Sequence, residues 1–118
     1  MEILYTDYPV LDLKNIKKMP SLFTAGPSPR SIDVPSWRPK ALEILENRGF
    51  KGRVWVPEWK DPKNHVSFDF DNQVEWEKAG LLSSDVILFC IKGIGVIFFD
   101  PQSAQQYAWP LPCWPILS

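Results

Sequence analysis

The residues of this chain with the right types to act on a bound molecule gather in two short stretches. "FTAGPSPR", residues 23 to 30, puts Gly26 directly after an apolar run and follows it with Pro27, Ser28, a second proline and Arg30. Gly26 lets the backbone come close to a ligand, the prolines stiffen the turn, and Arg30 offers a fixed fork of donors to hydroxyl or phosphate oxygens. The same residues also fit a plain βα turn with a solvated arginine, since Gly-Pro turns are common and no phosphate-loop signature is present. In the second stretch Asp69, Asp71, Glu75 and Glu77 crowd the start of a helical pattern. There the helix dipole stabilises negative side chains, and Asp71 suits an N-cap. Glu77 stands one turn past Gln73 and four residues before Leu81. From that position it can face along the edge of a sheet and accept from a base or a sugar hydroxyl.

Other reactive groupings do not assemble. The single histidine, His65, has no Ser or Cys partner at a recognisable spacing, so no catalytic triad is expected. His65 with Asp69 and Asp71 lacks the cysteines or second histidine that a metal site would use. "KGIG" at 92 to 95 is a lone Gly-x-Gly without a third glycine or a following helix pattern. Neither a metal nor a cofactor is expected.

The elements that must hold these residues alternate along the chain. "EILYTDYPV" alternates apolar and polar residues before a proline, which predicts a short or edge strand at about 2 to 6. "SLFTA" reads as a buried strand ending at Gly26. A helix follows, with Ser36 as N-cap, Trp37, Ala41, Ile44 and Leu45 on one face, and Gly49 as its C-terminal stop. "RVWVPEW" is a strand closed by Pro57, and "DNQVEWEKAGLLSSD" is a second helix with Val74, Ala79 and Leu82 expected inward. "DVILFCI" has the continuous apolar composition of a strand covered on both faces. Strand and helix in alternation imply βαβ units, hence an α/β fold with a mainly parallel sheet and helices on its faces. In such sheets ligands sit beyond the carboxyl ends of the strands, from which both "AGPSPR" and "PEW" emerge.

The totals set outer limits. With 118 residues, 45% of them apolar, the chain suits a single compact domain. Thirteen basic residues are offset by 14 acidic ones, for a formal net charge of -1, which argues against a nucleic-acid partner. "MEILYTDYPV" lacks the pattern of a signal peptide and "VILFCI" is too short to cross a bilayer, so a cytoplasmic protein with no membrane partner is expected. Cys90 and Cys113 fit no CxxC motif or disulfide framework, and Cys90 reads as a small buried hydrophobe.

Taken together, "LFTAGPSPR", "SWRPKALEILENRGFKGRVWVPEW" and "FDNQVEWEKAGLLSSDVILFCI" resemble the nucleoside 2-deoxyribosyltransferase-like family, over roughly residues 21 to 91. The resemblance implies a flavodoxin-like, Rossmann-like three-layer sandwich. It also implies a reaction in which a glutamate attacks the anomeric carbon, the base leaves with proton assistance, and a second base or water resolves the sugar ester. Carried over by position, Gly26 and Pro27 would line the sugar and base pocket with Ser28 and Arg30 beside them, and Glu77 would contact the base. Trp37, Glu58 and Trp76 match recurrent pocket positions, with a packing role equally open for the two tryptophans. The implied partners are a nucleoside or nucleotide and a second copy of the chain.

The carboxyl end departs from the family. No glutamate follows Glu77, so the nucleophile has no counterpart, and Asp100 is the one candidate substitute. Its "FFDPQ" setting reads as a strand end closing on a proline turn. Residues 101 to 118 hold four prolines, two tryptophans and no charge, so they cannot form a long helix and must pack on something. The alternative is a non-catalytic module that binds a nucleoside or nucleotide, or docks on a protein through this tail.

Overall fold

A computed structural model describes residues 1–8, 13, 15–26, 35–60, 70–91, 95–100 and 105–109, with the backbone alone for residues 70, 91, 95–100 and 105–109. The elements run β1 (Glu2–Tyr5), β2 (Ser21–Ala25), α1 (Arg38–Asn47), β3 (Arg53–Val56), α2 (Phe70–Ser83), β4 (Val86–Ile91), β5 (Gly95–Asp100) and β6 (Gln105–Trp109). One sheet holds all six strands in the order β1-β3-β2-β4-β5-β6. The first four are parallel, with Leu22 opposite both Val54 and Val86. β5 and β6 extend this sheet as antiparallel neighbours of β4.

Alternating side chains send the strands' apolar residues to two separate cores. On one face Leu22, Val54, Val56, Leu88 and Cys90 pack under Trp37, Ala41, Leu42 and Leu45 of the α1 segment. On the other, Leu4, Phe23 and Trp55 pack under Trp76 of α2. β3 lies between β1 and β2 and is buried along its whole length. The fold is therefore the expected α/β three-layer arrangement, built on a mainly parallel sheet. Helix α1 stops where its sequence says it should, since Gly49 takes a φ of 80° just beyond the last turn.

Two expectations change. The inward face of α2 is formed by Trp76 and Gly80, while Val74 and Leu82 are 41% and 78% exposed. The cause is steric: a Cβ on Gly80 would lie 2.7 Å from Phe23 Cε2 and 2.8 Å from Trp55 Cε3, so the bare backbone there lets the helix settle on the two rings. Asp71 lies inside the first turn of α2 instead of capping it. The sheet also continues past Asp100 into β6, so residues 105 to 109 of the tail form an edge strand, which needs only a short connection from an antiparallel neighbour.

The contact at Gly80 gives a direct test. Gly80→Val is expected to cost about 1–3 kcal/mol through overpacking, read as a lower urea midpoint at unchanged slope. A midpoint at or above that of the parent would show that α2 does not rest on those rings.

Candidate functional site: a polar crevice at the β2/β3 carboxyl edge

The chain leaves β2 toward the α1 face and leaves the adjacent β3 toward the α2 face. Neighbouring strands with exits on opposite sides open a crevice between their carboxyl ends, the place where α/β sheets bind ligands. The residues at this edge are tied together by Arg38. Its guanidinium is 1% exposed and reaches both strands. Nε donates to the Thr24 carbonyl at 3.1 Å and to Thr24 Oγ1 at 3.2 Å, while Nη2 donates to the Gly26 carbonyl at 3.0 Å. Nη1 donates to Glu58 Oε2 at 2.6 Å, closing an ion pair across the crevice. The Thr24 hydroxyl in turn donates to the Trp55 carbonyl at 2.7 Å, so β2, β3 and α1 share one network.

Ser36 completes it. Its hydroxyl accepts from the Arg38 backbone N–H at 3.1 Å and donates to Glu58 Oε2 at 2.6 Å. The N-cap is Trp37, which makes no side-chain cap bond, and not Ser36 as expected; Ser36 stands one residue earlier, where its oxygen still holds the first N–H of the helix and fixes the carboxylate. The Glu58 side chain remains 19% exposed. Its backbone carbonyl accepts from the Thr6 N–H at 3.1 Å, which draws the end of β1 into the same edge.

Charge acts in both directions here. Burial pulls the Arg38 guanidinium below the ordinary arginine range, and Glu58, through its hydrogen bond and its charge, and Glu77, through its charge, push it back up. Burial also raises the Tyr5 phenol above its usual value, with Glu58 and then Asp7 adding to the rise. Two carboxylates from different elements therefore act on one buried cation. Glu77 is half-buried on α2 and accepts from Gln73 Nε2 at 3.2 Å.

Of the residues singled out in the sequence, Gly26 and Glu58 come together at this edge, both bonded to Arg38, whereas Glu77 bonds Gln73 within α2 and acts on Arg38 only through its charge. Gly26 has a φ of 120°, and a Cβ there would sit 3.0 Å from the Cys90 carbonyl oxygen. It is glycine because β2 must turn against the backbone of β4. Pro27, Ser28 and Arg30 lie outside the described residues, as do His65 and Asp69. Of the two roles left open for the tryptophans, burial supports packing: Trp37 and Trp76 are 1% and 0% exposed, each within a core, with Trp37 lying under Arg38 and beside Gly26. Asp100 is also displaced. Antiparallel pairing sets Phe99 opposite Ile87, which carries Asp100 to the amino end of β4, whereas Gly26 and Glu58 are at the carboxyl edge. At about 3.3 Å per residue the length of a strand separates them, so Asp100 does not join the other carboxylates. Cys90 is buried as expected, but its sulfur is held in a disulfide, and Cys113 lies outside the described residues.

The network's central residue carries a signal in the sequence itself. Arg38 occupies the first turn of α1, where a cation opposes the helix dipole. An arginine in that position needs a compensating acid, and Glu58 supplies it. Among the described residues no group of three His, Cys, Asp or Glu side chains could hold a metal ion, and no helix is long and apolar enough to cross a membrane.

Fold and site together define an α/β three-layer protein with an ion-paired polar crevice at the switch point of its sheet. No family model matches the chain, and neither a curated protein nor a solved structure matches it.

Proposed function

We propose that the protein binds a nucleoside in the β2/β3 crevice and acts at its N-glycosidic bond, as a member of the deoxyribosyltransferase-like group would. The observation that carries this reading is the buried Arg38–Glu58 pair beside Gly26 at the carboxyl edge of the sheet, with the charge of Glu77 also acting on Arg38. Glycosidic chemistry works through paired carboxylates, one of which manages the proton of the leaving group. In this reading Glu77, on the helix that follows β3, contacts the base. The motifs around Gly26, Glu58 and Glu77 occur in the order the resemblance requires. Self-association belongs to the same reading, and the exposed Val74, Leu81 and Leu82 of α2 support it.

The test is incubation of the protein with a panel of 2′-deoxynucleosides and a free acceptor base, followed by chromatographic separation. New nucleoside or released base is expected, and Glu77→Ala is expected to lower its rate by about 10²–10⁴-fold, the usual share of a general acid–base group. Absence of product at high protein concentration would overturn the catalytic reading.

The second reading, a non-catalytic nucleoside-binding module, is favoured by one placement. Asp100, the only acid after Asp85, stands at the amino edge of the sheet, away from the crevice. Saturable stabilisation by a nucleoside without turnover is the result that selects it.

A further inference from the structure

The Glu58 carboxylate is held asymmetrically. Oε2 accepts from both Arg38 Nη1 and the Ser36 hydroxyl, each at 2.6 Å, while Oε1 has no partner among the described residues. The guanidinium that holds it cannot move freely, because its other donors are committed to the Thr24 and Gly26 carbonyls and to Thr24 Oγ1. At the same edge the hydroxyl of Thr6, a residue 6% exposed, is also without a partner among the described residues. A carboxylate fixed by one oxygen and open at the other is a preorganised acceptor, since its orientation costs nothing further when a donor arrives.

We propose that Arg38 is a positioning residue that holds Glu58 by Oε2 and so presents Oε1 in the crevice as the acceptor for a hydroxyl or amine donor of the ligand. The ligand part of this rests on the nucleoside reading, whereas the positioning part does not. Arginine suits the role because its planar fork binds two strands at once, and a lysine in its place would keep the charge and lose the geometry.

The experiment is a double-mutant cycle with Arg38→Lys and Glu58→Gln in the full chain. Binding of 2′-deoxyadenosine and of adenine is measured by calorimetry, after circular dichroism has established that each variant is folded. Glu58→Gln is expected to weaken 2′-deoxyadenosine about tenfold, the loss of one hydrogen bond to a charged acceptor. Arg38→Lys is expected to weaken it in the parent and to add nothing in the Glu58→Gln background, because it acts through Glu58. Weakening confined to the nucleoside assigns the donor as a sugar hydroxyl, and equal weakening of adenine assigns it as the base amine. Additive losses would overturn the proposal, since a purely structural arginine acts independently of Glu58. Should Arg38→Lys not fold, Ser36→Ala removes the other bond to Oε2 and enters the same cycle.

A ligand-free arm separates the two parts. Tyr5 senses the Glu58 carboxylate, so its phenol titration, followed by carbon NMR, reports where that carboxylate is. Glu58→Gln should lower the Tyr5 midpoint, and Arg38→Lys should shift it in the parent but not in the Glu58→Gln background. If 2′-deoxyadenosine fails to bind the parent, the nucleoside reading falls while this arm still decides the positioning role. Equal shifts in both backgrounds would refute it.

Discussion

Trp76→Ala is expected to lower the stability of the fold by about 3–5 kcal/mol, the range for removing a large buried aromatic. Trp76 is 0% exposed and is the buried residue through which α2 grips the sheet. Its ring meets Trp55 edge-on at 5.4 Å and Phe23 at 6.0 Å with a tilt of 54°. Such pairs contribute about 0.5–1.5 kcal/mol beyond their area, and alanine would remove both while leaving a cavity that Gly80, one turn on, cannot fill. Trp76→Phe separates packing from polarity. The Nε1 donors of Trp76 and Trp55 are both buried without a partner among the described residues, and an unsatisfied buried donor costs about 1–3 kcal/mol. Phenylalanine keeps much of the ring contact and removes one such donor, so it should cost far less than alanine. Leu82→Ala, at 78% exposure, should leave the urea midpoint within about 0.5 kcal/mol of the parent. If Trp76→Ala were as mild as Leu82→Ala, the second core would not be what holds α2.

The second large effect concerns Arg38. Arg38→Ala removes its donors from the Thr24 and Gly26 carbonyls and strands Glu58 beside them. Breaking a buried pair by deleting one partner costs about 3–5 kcal/mol. The lower half of that range is expected here, because Glu58 keeps 19% of its side chain in contact with solvent. Glu58→Ala should approach the same loss from the other side, by leaving a guanidinium that is 1% exposed without its acid. Loss of the Arg38 ring contact, 5.0 Å from the Trp37 centroid, adds to the effect of removing the arginine. The surface pair Lys40–Glu43, with both side chains more than half exposed, is the control: Lys40→Ala should change stability by less than about 1 kcal/mol. Equal midpoints for the Arg38 and Lys40 variants in urea would mean that the crevice network contributes nothing to the fold.

Both large effects sit where sequence reading was weakest. Trp76 was visible as a helical tryptophan, but whether it packed or lined a pocket stayed open, since the answer depends on what lies opposite. Arg38 stands in the first turn of α1, a position that asks for an acid without saying which one. Of the candidate site, Gly26 and Glu58 could be located from strand ends and motif order. The network that joins them could not, because the contacts of Arg38 link residues 12 to 20 positions apart, and those of Ser36 and Thr24 reach 22 and 31.

What the amino-acid sequence by itself determined was local and periodic. Alternation, apolar runs and the punctuation of Gly26, Gly49 and Pro57 placed strands β1 to β4 and helix α1 close to their observed bounds. These signals persist because each is enforced within a few residues by backbone sterics and capping. The tertiary structure alone decided which face of α2 turns inward, that β5 and β6 continue the sheet antiparallel to β4, and that Asp100 falls at the edge opposite Glu58. It also decided that an arginine from α1 meets a glutamate beyond β3. Those outcomes follow from strand register and from the fit of one surface on another, and both arise only when distant segments are packed together.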